Sequence, residues 1–160
     1  MPDENANPVS VSLDMAGLVQ GSADEKGRVK LPALIKKHLE ESGETEFFVT
    51  TFDVRTVRIY TREAWMRNAA ILDKATTKAA RSVLFISKVY GSRASLDKQG
   101  RILLNPQLRK KLEIGNEPVW FERSKEHLKV YSKKVYDEQL VEATADLELK
   151  NQEVEELGIG

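Results

Sequence analysis

The chain contains one segment twice, and this internal repeat constrains its fold more than any other feature. The sequence Asp24-Glu-Lys-Gly-Arg-Val-Lys-Leu-Pro32 returns 73 positions later as Asp97-Lys-Gln-Gly-Arg-Ile-Leu-Leu-Asn105. Two further pairs of segments extend the match, residues 35–39 with 108–112 and residues 59–62 with 130–133. A unit of about 45 residues with short strands is too small to bury a core alone, so the two copies are expected to share one.

Each copy shows the same order of local signals. Asp24 and Gly27, like Asp97 and Gly100, occupy the first and fourth positions of a type I turn, where they are favoured. The glycines are expected to adopt a left-handed or open backbone. After each turn, alternating polar and apolar residues predict a half-buried strand. A short helix and a hairpin follow in both copies, with helices at 32–41 and 106–112 and hairpins at 47–60 and 118–131.

These signals divide the chain into five parts and predict an α+β fold that is mainly β. The parts are a disordered leader (1–12), a first repeat (13–61), bridging helices (62–91), a second repeat (92–133) and an acidic C-terminal helix and tail (134–160). Periodicity predicts bridging helices at 62–80 and 82–90. Interlocked hairpins would close a pseudo-two-fold β-barrel, with the helices at its periphery.

The distribution of charge is uneven although the formal net charge is zero. Residues 74–111 hold ten Lys or Arg and a single acid, Asp97, whereas residues 137–157 hold eight acids and one base, Lys150. A basic body of this kind is typical of a protein that binds nucleic acid. The predicted acidic C-terminal helix also has an apolar stripe, formed by Tyr136, Leu140, Ala143 and Leu147, which would pack on its own domain or on a neighbour.

The paired D-x-x-x-R turns, each followed by a strand, proline and a basic helix, resemble the MraZ family over about residues 13–140. Residues 97–104 are especially similar to the second motif of that family. The resemblance implies two AbrB-like repeats that form a swapped-hairpin barrel. It further implies a DNA-binding transcriptional regulator that recognises repeated short boxes upstream of the division and cell-wall gene cluster. Assembly of identical chains into a ring is also implied.

The candidate DNA-binding residues lie on or beside the two turns. Arg28 and Arg101 follow a glycine, a position that projects a planar cation able to read guanine O6 and N7. Alternatively, each arginine pairs with Asp24 or Asp97 and holds its turn closed. This role is compatible with reading a base. The full set, with the remaining members as phosphate contacts, is Lys26, Arg28, Lys30, Lys36, Lys37, Lys98, Arg101, Arg109, Lys110 and Lys111.

The residue pattern argues against an enzyme. The two aspartates have no histidine or third acid at ligand spacing, and no glycine-rich loop for phosphate is present, so we expect no catalytic residue, metal or cofactor. His38 and His127 are interpreted as surface residues. The partners expected are double-stranded DNA and further copies of the chain, without membrane or small-molecule substrate. Lack of cysteine and an acidic N-terminus favour a cytoplasmic protein. The DNA binding that the resemblance implies predicts association with the nucleoid.

Two other functions stay open at this point. An AbrB-type antitoxin would use the acidic C-terminal segment to wrap a toxin partner. A purely structural oligomer would have a basic surface without salt-dependent affinity for DNA.

Overall fold

The computed structural model describes residues 17–160, so the predicted leader at 1–12 lies outside the described residues. The first half contains β1 (Val19–Ala23), β2 (Arg28–Lys30), α1 (Ala33–Ser42), β3 (Glu46–Thr50), β4 (Thr56–Thr61), α2 (Arg62–Lys74) and α3 (Lys78–Tyr90). The second half contains β5 (Ser92–Ser95), β6 (Arg101–Leu103), α4 (Pro106–Lys111), β7 (Pro118–Ser124), β8 (His127–Tyr131), α5 (Lys133–Thr144) and α6 (Leu147–Glu155). The same order of elements thus occurs twice.

The eight strands within residues 17–160 form one antiparallel sheet in the order β5-β3-β4-β8-β7-β1-β2-β6. The halves exchange their first strands, because β1 pairs with β7 of the second half and β5 pairs with β3 of the first. The two edge strands, β5 and β6, are consecutive in the chain, so the turn between them brings the edges together. The result is a nearly closed barrel surrounded by helices, which confirms the predicted α+β, mainly β fold.

The barrel interior is filled by alternate residues from the strands of both halves. Val29 and Ile102, which face each other across β2 and β6, are both inaccessible to solvent. Helices α1 and α4 add Leu39 and Leu108 to the same core. Since each half contributes to a single cluster, neither half has a complete core of its own.

Two predicted helices are wrong in their extent. The helix expected at 62–80 ends at Lys74, and a new helix begins after Thr77, whose hydroxyl accepts a hydrogen bond from the Ala80 N–H (3.1 Å). This is a standard N-cap, and it requires a non-helical backbone at Thr77. The acidic C-terminal helix is likewise divided, because Asp146 is left-handed (φ 50°) between α5 and α6. Its apolar stripe is therefore split, with Leu147 on α6.

The interpretation of His127 as a surface residue is also wrong. It lies in β8 opposite Tyr60 of β4 and is 5% exposed. Burial lowers the pKa of His127 to about 4, and the nearby cations Arg58 and Lys129 act in the same direction. His38, on α1, is half-buried. The alternation of polar and apolar residues did not indicate that the His127 side chain is buried where β8 pairs with β4.

Helices α2 and α5 are attached to the barrel in the same way. The Thr61 and Ser132 hydroxyls, at the ends of β4 and β8, cap these helices with hydrogen bonds of equal length (3.2 Å). An aromatic stack then holds each helix against the outer face of the sheet. The ring centroids are 4.3 Å apart in the first half and 3.8 Å apart in the second, between Phe48 and Trp65 and between Trp120 and Tyr136.

Candidate nucleic-acid interface

The first of the two turns is organised by the Asp24 carboxylate. One of its oxygens, Oδ1, accepts hydrogen bonds from the backbone N–H groups of Lys26 (2.9 Å) and Arg28 (3.0 Å). The other, Oδ2, accepts one from Nε of Arg28 (2.7 Å). The Gly27 N–H also donates to the Asp24 carbonyl (3.1 Å), which closes the turn. A single aspartate therefore fixes both the turn and the arginine that follows it.

The second turn repeats this arrangement bond for bond. The Asp97 Oδ1 accepts from the N–H groups of Gln99 (2.8 Å) and Arg101 (2.9 Å), and its Oδ2 accepts from Arg101 Nε (2.7 Å). The Gly100 N–H donates to the Asp97 carbonyl at 3.0 Å. The turn-stabilising role inferred for the two aspartates agrees with this geometry, and each arginine is held in a defined direction.

Both turn glycines have the backbone conformation that was expected of them. The φ angle is 82° at Gly27 and 76° at Gly100, in the left-handed region that side chains disfavour. A methyl group on either glycine would also meet a side chain from the other half. The nearest atom would be Cδ of Arg109 or Cδ of Lys36, at 2.7 Å in each case.

Strands β2 and β6 join the two turns into one surface. They pair so that Val29 faces Ile102, and hydrogen bonds of 2.9 Å extend the ladder from Leu31 N–H to the Gly100 carbonyl and from Leu104 N–H to the Gly27 carbonyl. The Arg101 Nη1 is 3.9 Å from the Asp24 carboxylate of the opposite turn. Arg28 and Arg101 thus lie on two paired strands, and both side chains are partly exposed.

Helices α1 and α4 each reach across to the turn of the other half. Lys36, on α1, lies against Gly100, and its counterpart Arg109, on α4, lies against Gly27. The Arg109 Nη1 also donates to the carbonyl of Glu25. Two of the predicted basic residues are therefore placed next to the turns by contacts between the halves, which no local pattern could have indicated.

The other predicted lysines are exposed, but they are not arranged symmetrically. Lys37 on α1 and Lys110 on α4 are counterparts, and both are exposed on short helices. In contrast, Lys26 corresponds to Gln99, and Lys98 corresponds to Glu25. The remaining exposed members of the predicted set are Lys30 on β2 and Lys111 at the end of α4. The contribution of each lysine to DNA binding stays a prediction.

The aspartates are ionised over a wide range of pH. Desolvation tends to raise the pKa of Asp24, but hydrogen bonds from the backbone and guanidinium of Arg28 and from the Lys26 N–H outweigh it, and the pKa lies below the ordinary value. The pKa of Asp97 is lowered too, chiefly by the backbone N–H of Arg101. Each turn therefore keeps its ion pair at neutral pH.

Leu103 is a residue of this surface that the sequence analysis did not select. It is 54% exposed on β6 and pairs with Arg28 of β2, at the position that Lys30 occupies in the first half. An exposed leucine between basic residues can contact a thymine methyl or a sugar. The signal was present in the repeat alignment, where an apolar residue replaces an exposed lysine.

The described part of the chain, 17–160, contains no helix that is long and apolar enough to cross a membrane. Within the same residues, no group of three or more His, Cys, Asp or Glu side chains is arranged to hold a metal ion.

Several known proteins are similar to this chain, and they share one name. The chain is 33% identical over 100 residues to the transcriptional regulator MraZ of Acidobacterium capsulatum, which covers 61% of this chain and 68% of that protein. It is also 30% identical over 138 residues to MraZ of Caldicellulosiruptor saccharolyticus, covering 85% of this chain and 93% of the relative. The chain belongs to the MraZ family. No family model matches it.

Other MraZ relatives agree with this assignment. The regulator of Koribacter versatilis is 34% identical over 97 residues, covering 59% of this chain and 66% of its own length. The family resemblance found in the sequence is thereby confirmed. Members of the MraZ family in these comparisons are named transcriptional regulators, which fits a protein that is not an enzyme.

Proposed function

We propose that this chain regulates transcription by binding duplex DNA in a sequence-specific manner, as a homo-oligomer and without a cofactor. The observation that carries the proposal is the duplicated arginine-bearing turn, joined through β2 and β6 into one basic surface. Because the family implies repeated boxes upstream of the division and cell-wall gene cluster, these boxes are the proposed target. The corresponding location is the cytoplasm, in association with the nucleoid.

Arg28 and Arg101 are the proposed base-reading residues. Each uses its Nε to bind an aspartate, which fixes the guanidinium while one N–H donor of five is engaged. A planar cation held in this way can donate two parallel hydrogen bonds to guanine. The lysines of the predicted set, with Arg109, would contact phosphates and so position the protein without specifying sequence.

Weak contacts from a single chain become effective when several chains bind together. An oligomer presents pairs of turns at fixed spacing, and DNA boxes that repeat at a matching interval engage several pairs at once. Affinity gained in this way depends on the spacing of the boxes, so inserting half a helical turn between boxes would reduce binding strongly.

The test is binding of purified protein to the DNA upstream of its own gene. Arg28→Ala and Arg101→Ala should each cost about 1–3 kcal/mol per engaged site. In Arg28→Lys and Arg101→Lys, the affinity for DNA should keep its dependence on salt. Both variants should lose the preference for the upstream DNA (the operator) over other sequences, because lysine cannot bind guanine through a planar fork. Arg67→Ala is the matched control, since Arg67 lies on α2 and pairs with Glu126. Operator affinity unchanged in both alanine variants would show that the turns serve the fold alone.

A further inference from the structure

The helices that follow the two halves carry opposite charge. The segment from α2 to α3, residues 62–90, holds six Lys or Arg and two acids, whereas residues 133–156, containing α5 and α6, hold eight acids and three Lys. These two segments occupy equivalent places after β4 and β8. One chain therefore presents a basic helix pair from its first half and an acidic helix pair from its second.

On α3, an exposed stripe combines cations with one large apolar residue. Lys78, Arg81 and Phe85 are spaced three and four residues apart, so they lie on one face of the helix. All three are exposed, and 66% of the Phe85 surface is accessible. The Arg81 Nη1 donates to the Thr76 carbonyl (2.9 Å), which leaves other guanidinium N–H groups for a partner.

On α6, a second exposed stripe has the complementary composition. Leu149, Glu153 and Glu156 are spaced four and three residues apart, and Glu156 continues the helical backbone at the C-cap. All three are exposed, with 61% of Leu149 accessible, and among the described residues α6 has no buried side chain. Within residues 17–160, neither acid takes part in an ion pair.

The two stripes match in only one orientation. In an antiparallel arrangement, the spacing of four then three along α6 equals the spacing read backwards along α3. Phe85 then faces Leu149, Arg81 faces Glu153, and Lys78 faces Glu156. A parallel arrangement would set a spacing of three against four and misalign the charges. Since all six residues are exposed in the single chain, the stripes do not cover one another within it.

From this match we propose that α6 of one chain docks antiparallel on α3 of a second copy of the same chain. The inference rests on the homo-oligomer of the proposed function and names the surfaces that form it. The apolar pair would lie at one end of this row and the two ion pairs would follow along it, so apolar surface is buried next to complementary charge. Each chain has one basic and one acidic face, so association is head to tail and closes into a ring when the rotation permits.

The test is a charge exchange measured by sedimentation velocity and light scattering. One variant carries Lys78→Glu with Arg81→Glu, and the other carries Glu153→Arg with Glu156→Lys. Each of these variants, measured by itself, should have the mass of a single chain, 18.1 kDa. A mixture of the two variants should assemble again, and so should a chain with all four substitutions, because each restores opposite charge across the contact. Circular dichroism establishes that every variant is folded.

A matched control separates the stripe from net charge. Glu148→Lys with Glu155→Lys changes the charge of α6 by the same amount but on a different side of the helix, and it should keep the parental mass. Because the chain has no cysteine, Phe85→Cys and Leu149→Cys can also be placed in separate chains. Mixing them under oxidising conditions should give a disulfide between chains.

Four outcomes would overturn the proposal. If both charge variants keep the parental mass, α3 and α6 do not form the interface, although the chain is still an oligomer. Dissociation without recovery in the mixture would show that the stripes do not face each other. Dissociation of the control would assign the effect to net charge. A parent that is monomeric at all concentrations would refute the oligomer itself, and the Arg28 and Arg101 variants would then test DNA binding independently.

Discussion

The two halves of the chain agree closely in their turns and strands and differ in the helices that follow. In both turns an aspartate makes the same four hydrogen bonds, and the distances differ by no more than about 0.1 Å. In contrast, α3 is anchored, since the Thr50 hydroxyl donates to the Ser87 carbonyl (2.8 Å) and both residues are buried. Helix α6 has no comparable anchor among the described residues.

This difference shows which parts of a repeat are constrained by the shared barrel. A residue of β2 or β6 must fit a core to which both halves contribute, so the alternation is retained in both copies. The outer helices keep many exposed side chains, and α6 has no buried residue among those described. Their charges can therefore be opposite without disturbing the fold, which makes them suited to association between chains.

The largest expected effect is a pH dependence of stability caused by His127. The corresponding residue in the first half is Thr56, which has no group that titrates in this range. The folded-state pKa of His127 is about 4, below the ordinary value of 6.5, so the unfolded chain binds the proton first as pH falls. Stability contributed by the neutral imidazole is complete above pH 6.5 and is lost between pH 6.5 and about 4. Each pKa unit corresponds to about 1.4 kcal/mol. Urea unfolding across this range should show the loss, and His127→Thr should reduce it.

If the free energy of unfolding changes with pH by the same amount in the parent and in His127→Thr, this assignment is wrong. The turn aspartates cannot supply a pH dependence in this range. Their lowered pKa values act in a separate and lower range, because stability from Asp24 and Asp97 is lost only as pH falls through their folded-state pKa.

A smaller effect is expected where α3 meets the sheet. Gly91 has an ordinary φ of −87°, but a Cβ there would lie 2.3 Å from the Phe48 ring and 2.3 Å from the Ser87 carbonyl. Gly91→Ala should therefore cost about 1–3 kcal/mol by overpacking. Its counterpart Leu18 is exposed, so Leu18→Ala should change stability by about 0.5 kcal/mol or less. Equal melting temperatures for the two variants would mean that α3 is not packed as described.

The smallest effect should be the same in both halves. Gly27→Ala and Gly100→Ala place a side chain at positive φ, which costs about 1–2 kcal/mol. The steric part is minor, because the atoms that Cβ would meet belong to the flexible side chains of Arg109 and Lys36. Denaturant unfolding should give similar losses. A difference above about 1 kcal/mol, roughly the cost itself, would show that the turns are not equivalent.

Much of the candidate site could be predicted because its geometry is local. The bonds from Asp24 to the N–H groups of Lys26 and Arg28 lie within five residues, and so do those around Asp97. Glycine at the fourth position indicated the left-handed backbone. The break between α2 and α3 was missed because apolar periodicity continues through it, although Thr77 was a cap signal in the sequence.

Other features depended on contacts between distant parts of the chain. Lys36 lies beside Gly100, and Arg109 beside Gly27, because β2 pairs with β6 and carries the helix of each half to the turn of the other. Burial of His127 results from the pairing of β8 with β4. None of these partners is close in sequence, so residue patterns could not select them.

The sequence by itself determined the duplicated unit, its Asp-x-x-Gly-Arg turns and the separation of basic from acidic segments, since each depends on neighbouring residues or on composition. Only the tertiary structure decided the exchange of β1 and β5 between the halves and the joining of both turns into one surface. It also decided which side chains of α3 and α6 stay exposed. The physical reason is that strand pairing is set by the common core, in which residues far apart in the chain must fill one space together.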